Sequence, residues 1–138
     1  MAQAVILDSE ALNALAHASQ RGVLADRARA ILKLAYEHRA VVRVPAPVLA
    51  EVGRGGGRDA SVRQLLNGRG IGVTDLTARI ALRAGELLER CKLSSANAVD
   101  AFVASTALEF VSAIIATGDP KDIRRLLGKY PHIGVFRI

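Results

Sequence analysis

Residues 4–15 read AVILDSEALNAL, and the change of rhythm inside them decides the fold. Ala4, Val5, Ile6 and Leu7 form a short continuous apolar run, the pattern of a strand covered on both faces. From Ser9 the apolar positions fall at Ala11, Leu12 and Leu15, the spacing of one face of a short helix. A strand that ends at Asp8 and turns at once into a helix is the first half of a βαβ unit.

The same alternation continues along the chain. Residues 24–38 place Leu24, Ala28, Ile31, Leu32 and Ala35 on one face, with Arg27, Arg29, Lys33 and Glu37 largely elsewhere, which predicts an amphipathic helix. Residues 41–44 are rich in β-branched side chains and stop at Pro45. Pro47 then suits the first turn of a helix carrying Val48, Leu49, Glu51 and Val52. GRGGGRD, residues 53–59, should end that helix and form a mobile basic loop at the lip of a cleft, ahead of a short helix around 62–66. Residues 71–76 supply a third strand, and residues 77–91 an amphipathic helix burying Ile80, Ala84, Leu87 and Leu88. The most apolar helix follows at 97–110, then a strand at 113–116 ending in TGDP, a helix at 120–127 and a last strand at 134–138. Alternating β and α elements predict a mostly parallel, twisted sheet covered by helices on both faces.

With 138 residues, 51% of them hydrophobic, the chain reads as a single domain, 1–138, able to bury its own core. Its single cysteine, Cys91, excludes an intramolecular disulfide or a cysteine-built zinc cage and fits a cytoplasmic protein. MAQAVILD lacks the basic start of a secretory signal, and Asp100 and Glu109 interrupt the one long apolar stretch, so no membrane association is expected. The net charge of +6 comes mostly from arginine, whose planar fork matches phosphate oxygens, and so favours a polyanionic partner. Aromatic residues make up only 4%, too few for a base-stacking platform. His17, His38 and His132 are scattered and form no HExxH or nucleophile–base pattern.

Four acids sit where a merely solvated role does not fit: Asp8, Glu51, Asp100 and Asp119. Asp8 and Asp119 close the apolar runs VILD and IIATGD, and in an open parallel sheet ligands bind beyond the carboxyl ends of the strands. Asp100 interrupts NAVDAFVASTALEF, a helix apolar nearly all round, and Glu51 interrupts PAPVLAEV just after the second strand. Carboxylates brought within ~4–6 Å oppose one another unless a cation compensates. Mg²⁺ or Mn²⁺, hard ions that leave room for a phosphodiester, would do so. Such an ion lowers the pKa of a bound water and polarises the scissile phosphate, while a carboxylate orients the water. Asp8, Asp100 and Asp119 are the expected metal ligands, with Asp122 auxiliary and Glu51 completing the catalytic set. Each has an ordinary alternative: Asp8 and Asp119 also read as helix N-caps, Asp122 as part of a capping box, Asp100 as an arginine's buried partner and Glu51 as a surface residue. Ser9 and Thr117 flank two of the acids and are candidates to hydrogen-bond a phosphate, and Arg54 and Arg58 to contact one.

Taken together, AVILDSEALNAL, VPAPVLAEV, NAVDAFVASTAL and IIATGDPKDIRRL resemble the acidic motifs of PIN-domain nucleases, in order and over almost the full length, and specifically those of VapC toxins. The resemblance implies a three-layer α/β/α sandwich and a Mg²⁺- or Mn²⁺-dependent endoribonuclease of RNA. Asp8, Glu51, Asp100 and Asp119 match the family's acidic positions, with Asp122 a fifth acid. It also implies a homodimer and inhibition by a VapB-type antitoxin. An RNA-processing nuclease without antitoxin and a non-catalytic binding module are the competing readings. The glycine-rich segment after Glu51 is atypical of the family.

Overall fold

The computed structural model describes residues 3–68 and 70–138, apart from the side chain of Arg21. β1, Gln3–Leu7, buries Ala4 through Leu7, as the continuous apolar run predicts for a strand with neighbours on both faces. Asp8 caps α1, Ser9–Ala16, by accepting the Ala11 N–H at 2.9 Å. A short α2, Ala18–Arg21, turns through Gly22 at φ +48° into α3, Val23–Glu37, which buries Ala25, Ala28, Ile31, Leu32 and Ala35. β2, Val41–Pro45, leads directly into α4, Ala46–Val52, with Pro47 in its first turn, where no intrahelical N–H is required.

After α5, Ala60–Gly68, and β3, Ile71–Thr74, the Thr77 hydroxyl caps α6, Ala78–Arg90. Then come α7, Ala98–Ala107, β4, Ser112–Thr117, α8, Pro120–Leu126, and β5, Ile133–Arg137. The five strands pair in the order β3-β2-β1-β4-β5, all parallel. From β1 the chain steps outward to β2 and β3, then returns past β1 to β4 and β5. The direction of winding therefore reverses between β1 and β4. Right-handed crossovers place the helices of the two halves on opposite faces. Accordingly α1 packs on α3 and α5, while α7 packs on α6 and α8. The result is the expected three-layer α/β/α sandwich.

Local departures from the sequence reading have identifiable causes. The helix expected over 97–110 leaves α-geometry after Ala107, where the N–H groups of Glu109 and Phe110 reach back only three residues, to Thr106 and Ala107. The glycine-rich segment is a built turn. Asp59 accepts the backbone N–H groups of Arg54 and Gly55 at 2.8 and 3.0 Å, and Gly55 and Gly56 supply the positive φ angles the turn needs. β3 ends at Thr74, short of the expected 76.

A side-chain clamp ties α6 to α7. Arg83 donates to the Ser105 hydroxyl and carbonyl at 3.0 and 2.6 Å and to Glu109 at 2.8 Å, and Arg79 also pairs with Glu109. Burial alone would raise the Glu109 carboxyl, but these hydrogen bonds hold it below its ordinary value. The clamp bears on the site because α7 carries Asp100.

Candidate metal centre

The reversal of winding between β1 and β4 leaves a crevice beyond the carboxyl ends of both strands, where ligands bind in open parallel sheets. Leu7 pairs with Ala116, and the Asp8 N–H donates to the Ala116 carbonyl at 3.2 Å, so Asp8 lies beside Thr117 at the floor of this crevice. The other acids arrive on different elements: Glu51 on α4, Asp100 in the first turn of α7, and Asp119 and Asp122 at the start of α8.

Electrostatics shows that these acids face one another. The half-buried Asp100 carboxyl is pushed up to about 6, first by desolvation and then by the negative charges of Asp122, Asp8, Glu51 and Asp119. An arginine partner would have lowered it, and among the described residues no arginine pairs with Asp100. Asp8 is also raised, by burial above all and slightly by Glu10. Hydrogen bonds from the Thr117 side chain and from the Ala11 and Gly118 backbone N–H groups oppose the shift.

Hydroxyl and amide side chains hold the acids in place. Thr117 is 1% exposed, and its Oγ1 accepts the Asp119 N–H at 3.0 Å while its side chain also hydrogen-bonds Asp8. One hydroxyl thus links the first and last acids of the set. The Ser9 hydroxyl donates to Glu51 Oε1, joining α1 to α4. Asn97 Nδ2 donates to Asp122 Oδ2 at 3.1 Å. Asp119 occupies the N-cap position of α8 but makes no side-chain cap hydrogen bond, so capping does not account for its carboxylate. For Asp8, capping and site placement hold together.

The basic candidates follow Glu51 in the chain. The Arg54 guanidinium folds back onto the carbonyls of Ala50 and Gly53, at 3.4 and 2.5 Å, and caps the end of α4. Arg58 is exposed on the turn. Glu10 and Asn97 are site neighbours that the sequence reading passed over. Asn97 stands three residues before Asp100 in the NAVD motif, and Glu10 reads from sequence as an ordinary first-turn acid of α1.

Among the described residues, no three acidic, histidine or cysteine side chains are placed to hold a metal ion by themselves. The donor set nonetheless fits Mg²⁺ or Mn²⁺. All its donors are carboxylate oxygens, and these ions need only one or two carboxylates, with waters and substrate phosphates completing the shell. A divalent cation would also relieve the repulsion that raises Asp100.

Comparison with known proteins was made on sequence and on structure. The family model described as "PIN domain" matches residues 5–127. Among solved structures, VapBC2 from Rickettsia felis, bound to a DNA fragment from their promoter, superposes with a TM-score of 0.68 at 19% identity, over 97% of this chain and 98% of that one. VapBC-1 from nontypeable Haemophilus influenzae gives a TM-score of 0.63 at 19% identity, over 97% of each chain. No curated protein matches the sequence.

Proposed function

From the premise that this chain belongs to the PIN-domain family, we propose that it is a Mg²⁺- or Mn²⁺-dependent endoribonuclease, the VapC-like toxin of a toxin–antitoxin pair. The observation that carries this reading is the gathering of acids at the strand switch point, where burial first and then the charges of Asp122, Asp8, Glu51 and Asp119 raise Asp100. Asp8, Asp100 and Asp119 would supply its carboxylates, one or two of them directly and the rest through waters of its shell, with Asp122 supporting them through its Asn97-fixed carboxylate. When bound, the ion polarises the scissile phosphate and offsets charge developing on the leaving oxygen. Glu51, held by the Ser9 hydroxyl, would accept the proton of the attacking water. Thr117 keeps Asp8 and Asp119 in a fixed relation, so the carboxylates need little rearrangement when substrate arrives. The arginine-rich surface draws the RNA backbone by its charge.

The likeness to VapBC structures supports a VapB-type antitoxin as partner, and a homodimer is the assembly proposed with it. Among the described residues, no helix is long and apolar enough to cross a membrane. The test is cleavage of total tRNA and rRNA by the purified chain, freed of any partner, with and without Mn²⁺. Asp8→Asn and Asp100→Asn should each lower the rate at least ~100-fold, a loss of about 3 kcal/mol of transition-state stabilisation. Wild-type rates in either variant would refute the assignment. RNA binding without Mn²⁺-dependent cleavage would favour a non-catalytic module.

A further inference from the structure

The sheet is covered unevenly. On the face that carries α1 and α3, among the described residues, β5 and the start of β4 lack a covering helix, because their own crossover, α8, runs on the opposite face. Ile114 is therefore 40% exposed between the buried Ala113 and Ile115, and Leu34 on α3 is 48% exposed across the gap. Between α3 and this bare stretch of sheet lies a cavity of about 400 Å³, walled by Val5, Ile31, Leu34 and Ile114. That volume falls within the range of about 300–1,000 Å³ usual for small-molecule sites.

Gly134 lines the same cavity, in register with Ile114. Nothing in the chain demands a glycine there. Its φ is not positive, and an added Cβ would meet Ile114 Cγ1 at 3.6 Å and the Ala113 carbonyl oxygen at 3.9 Å, both ordinary contacts. A glycine inside a strand weakens it, and marks a place where a ligand or another backbone comes close.

The polar groups of the cavity gather at one end. Gln3 and Ser112, paired in register, open β1 and β4. His132 precedes β5, its carbonyl accepting the Ala113 N–H at 3.3 Å, and His38 stands at the C-cap of α3. All four line the cavity at the amino-terminal edge of the sheet, the end opposite the acidic crevice. Each side chain has a donor to offer, imidazole N–H, amide or hydroxyl. Among the described residues no carboxylate lines the cavity. Apolar walls with donors at one end match a ligand that has an apolar body and an accepting head, and the chain's net charge of +6 favours an anionic head. We infer that this cavity binds a small amphipathic carboxylate, its body lying over Gly134 against Ile31 and Ile114 and its head held by His38 and His132. The site is separate from the acidic crevice, so the inference stands independently of the metal reading.

The experiment titrates octanoate into the full chain, with octylamine and octanol as probes of the same body and a different head. Calorimetry reads affinity, and NMR shifts of the Ile31 and Ile114 methyls and the Gly134 amide read the place. Octanoate should bind more tightly than either control and move those three resonances. Gly134→Val should fill the cavity and weaken octanoate at least ~10-fold, with a melting temperature no lower than wild type, since valine suits a strand. Gly134→Ala, whose methyl meets only ordinary contacts, should weaken it less, and keeps the test intact if valine overpacks the strand. His38→Ala and His132→Ala should each weaken octanoate about 3- to 10-fold and leave octanol binding unchanged. Octanoate that leaves the three resonances unmoved, or whose affinity is the same in both Gly134 variants as in wild type, overturns the inference. Octylamine bound as tightly as octanoate also overturns it. A dimer seen by ultracentrifugation that Gly134→Val splits assigns this face to a second copy and overturns it as well.

Discussion

At the scale of single residues, Asp100 shows how a site can oppose the fold that builds it. Its carboxyl is raised from 3.8 to about 6 because burial and four neighbouring acids disfavour its charge. Fully buried, such a shift would correspond to about 3 kcal/mol. Asp100 is only half-buried, and solvent screening reduces the effective cost to roughly 1 kcal/mol. Asp100→Asn should therefore raise metal-free stability by about 1 kcal/mol in urea unfolding, even as it removes activity. The pH dependence follows from the same shift. An acid whose folded-state pKa exceeds its unfolded value penalises the folded state above the folded pKa, and the penalty fades as pH falls toward the unfolded value near 4. The metal-free melting temperature should then rise between about pH 7 and pH 5, as Asp100 protonates in the folded state first, and the upward shift of Asp8 acts in the same direction. Mn²⁺ affinity should weaken over the same interval, because the ion competes with those protons. A melting temperature that falls steadily across that window would contradict the repulsion. From sequence, Asp8 and Asp119 were legible as acids at strand ends and Asp100 as an acid in an apolar helix. Glu10 was not, since its place beside the β4–α8 turn depends on a glycine more than a hundred positions away that only the fold brings beside it.

At the scale of elements, apolar periodicity placed the strands and the long helices, because burial in a doubly covered sheet leaves a strong pattern in the chain. α3 matches its expected span to within a residue at each end, and β2 extends one residue into Pro45. The pattern was blind to features that rest on a single polar side chain. Asp59 converts an expected mobile loop into a hydrogen-bonded turn, and Arg54, a candidate phosphate contact, folds onto the end of α4. The Arg83 clamp was equally hidden, since an arginine on an amphipathic helix usually points to water. Arg83→Ala would remove one donor each from the Ser105 carbonyl, which keeps the Leu108 N–H, and from Glu109, which keeps Arg79, at a cost of about 1 kcal/mol. Because the clamp aligns α7, nuclease activity should fall more steeply than stability alone accounts for. Urea unfolding and cleavage, measured on the same preparation, separate the two effects. Activity that tracks only the folded fraction would confine Arg83 to stability.

At the scale of the whole molecule, the order β3-β2-β1-β4-β5 places the crevice, since only between β1 and β4 does the winding reverse. Net charge acts at this scale as well. With +6 overall, RNA affinity should fall log-linearly with salt concentration, losing close to one unit of slope for each phosphate neutralised. A binding constant indifferent to salt would remove the arginine surface from substrate capture. Mn²⁺ at 100 times its dissociation constant should in turn stabilise the folded protein by about 2.7 kcal/mol, read as a rise in melting temperature.

The strand order also fixes when the enzyme comes into being. β1 emerges first from the ribosome and can pair early with β2, but its other neighbour, β4, is made only after residue 111. Contacts so distant along the chain form late. Until the segment carrying Thr117 and Asp119 has been synthesised and has docked beside β1, Asp8 faces an incomplete crevice. A nascent chain therefore carries Asp8 into the open well before the acids that complete the crevice exist.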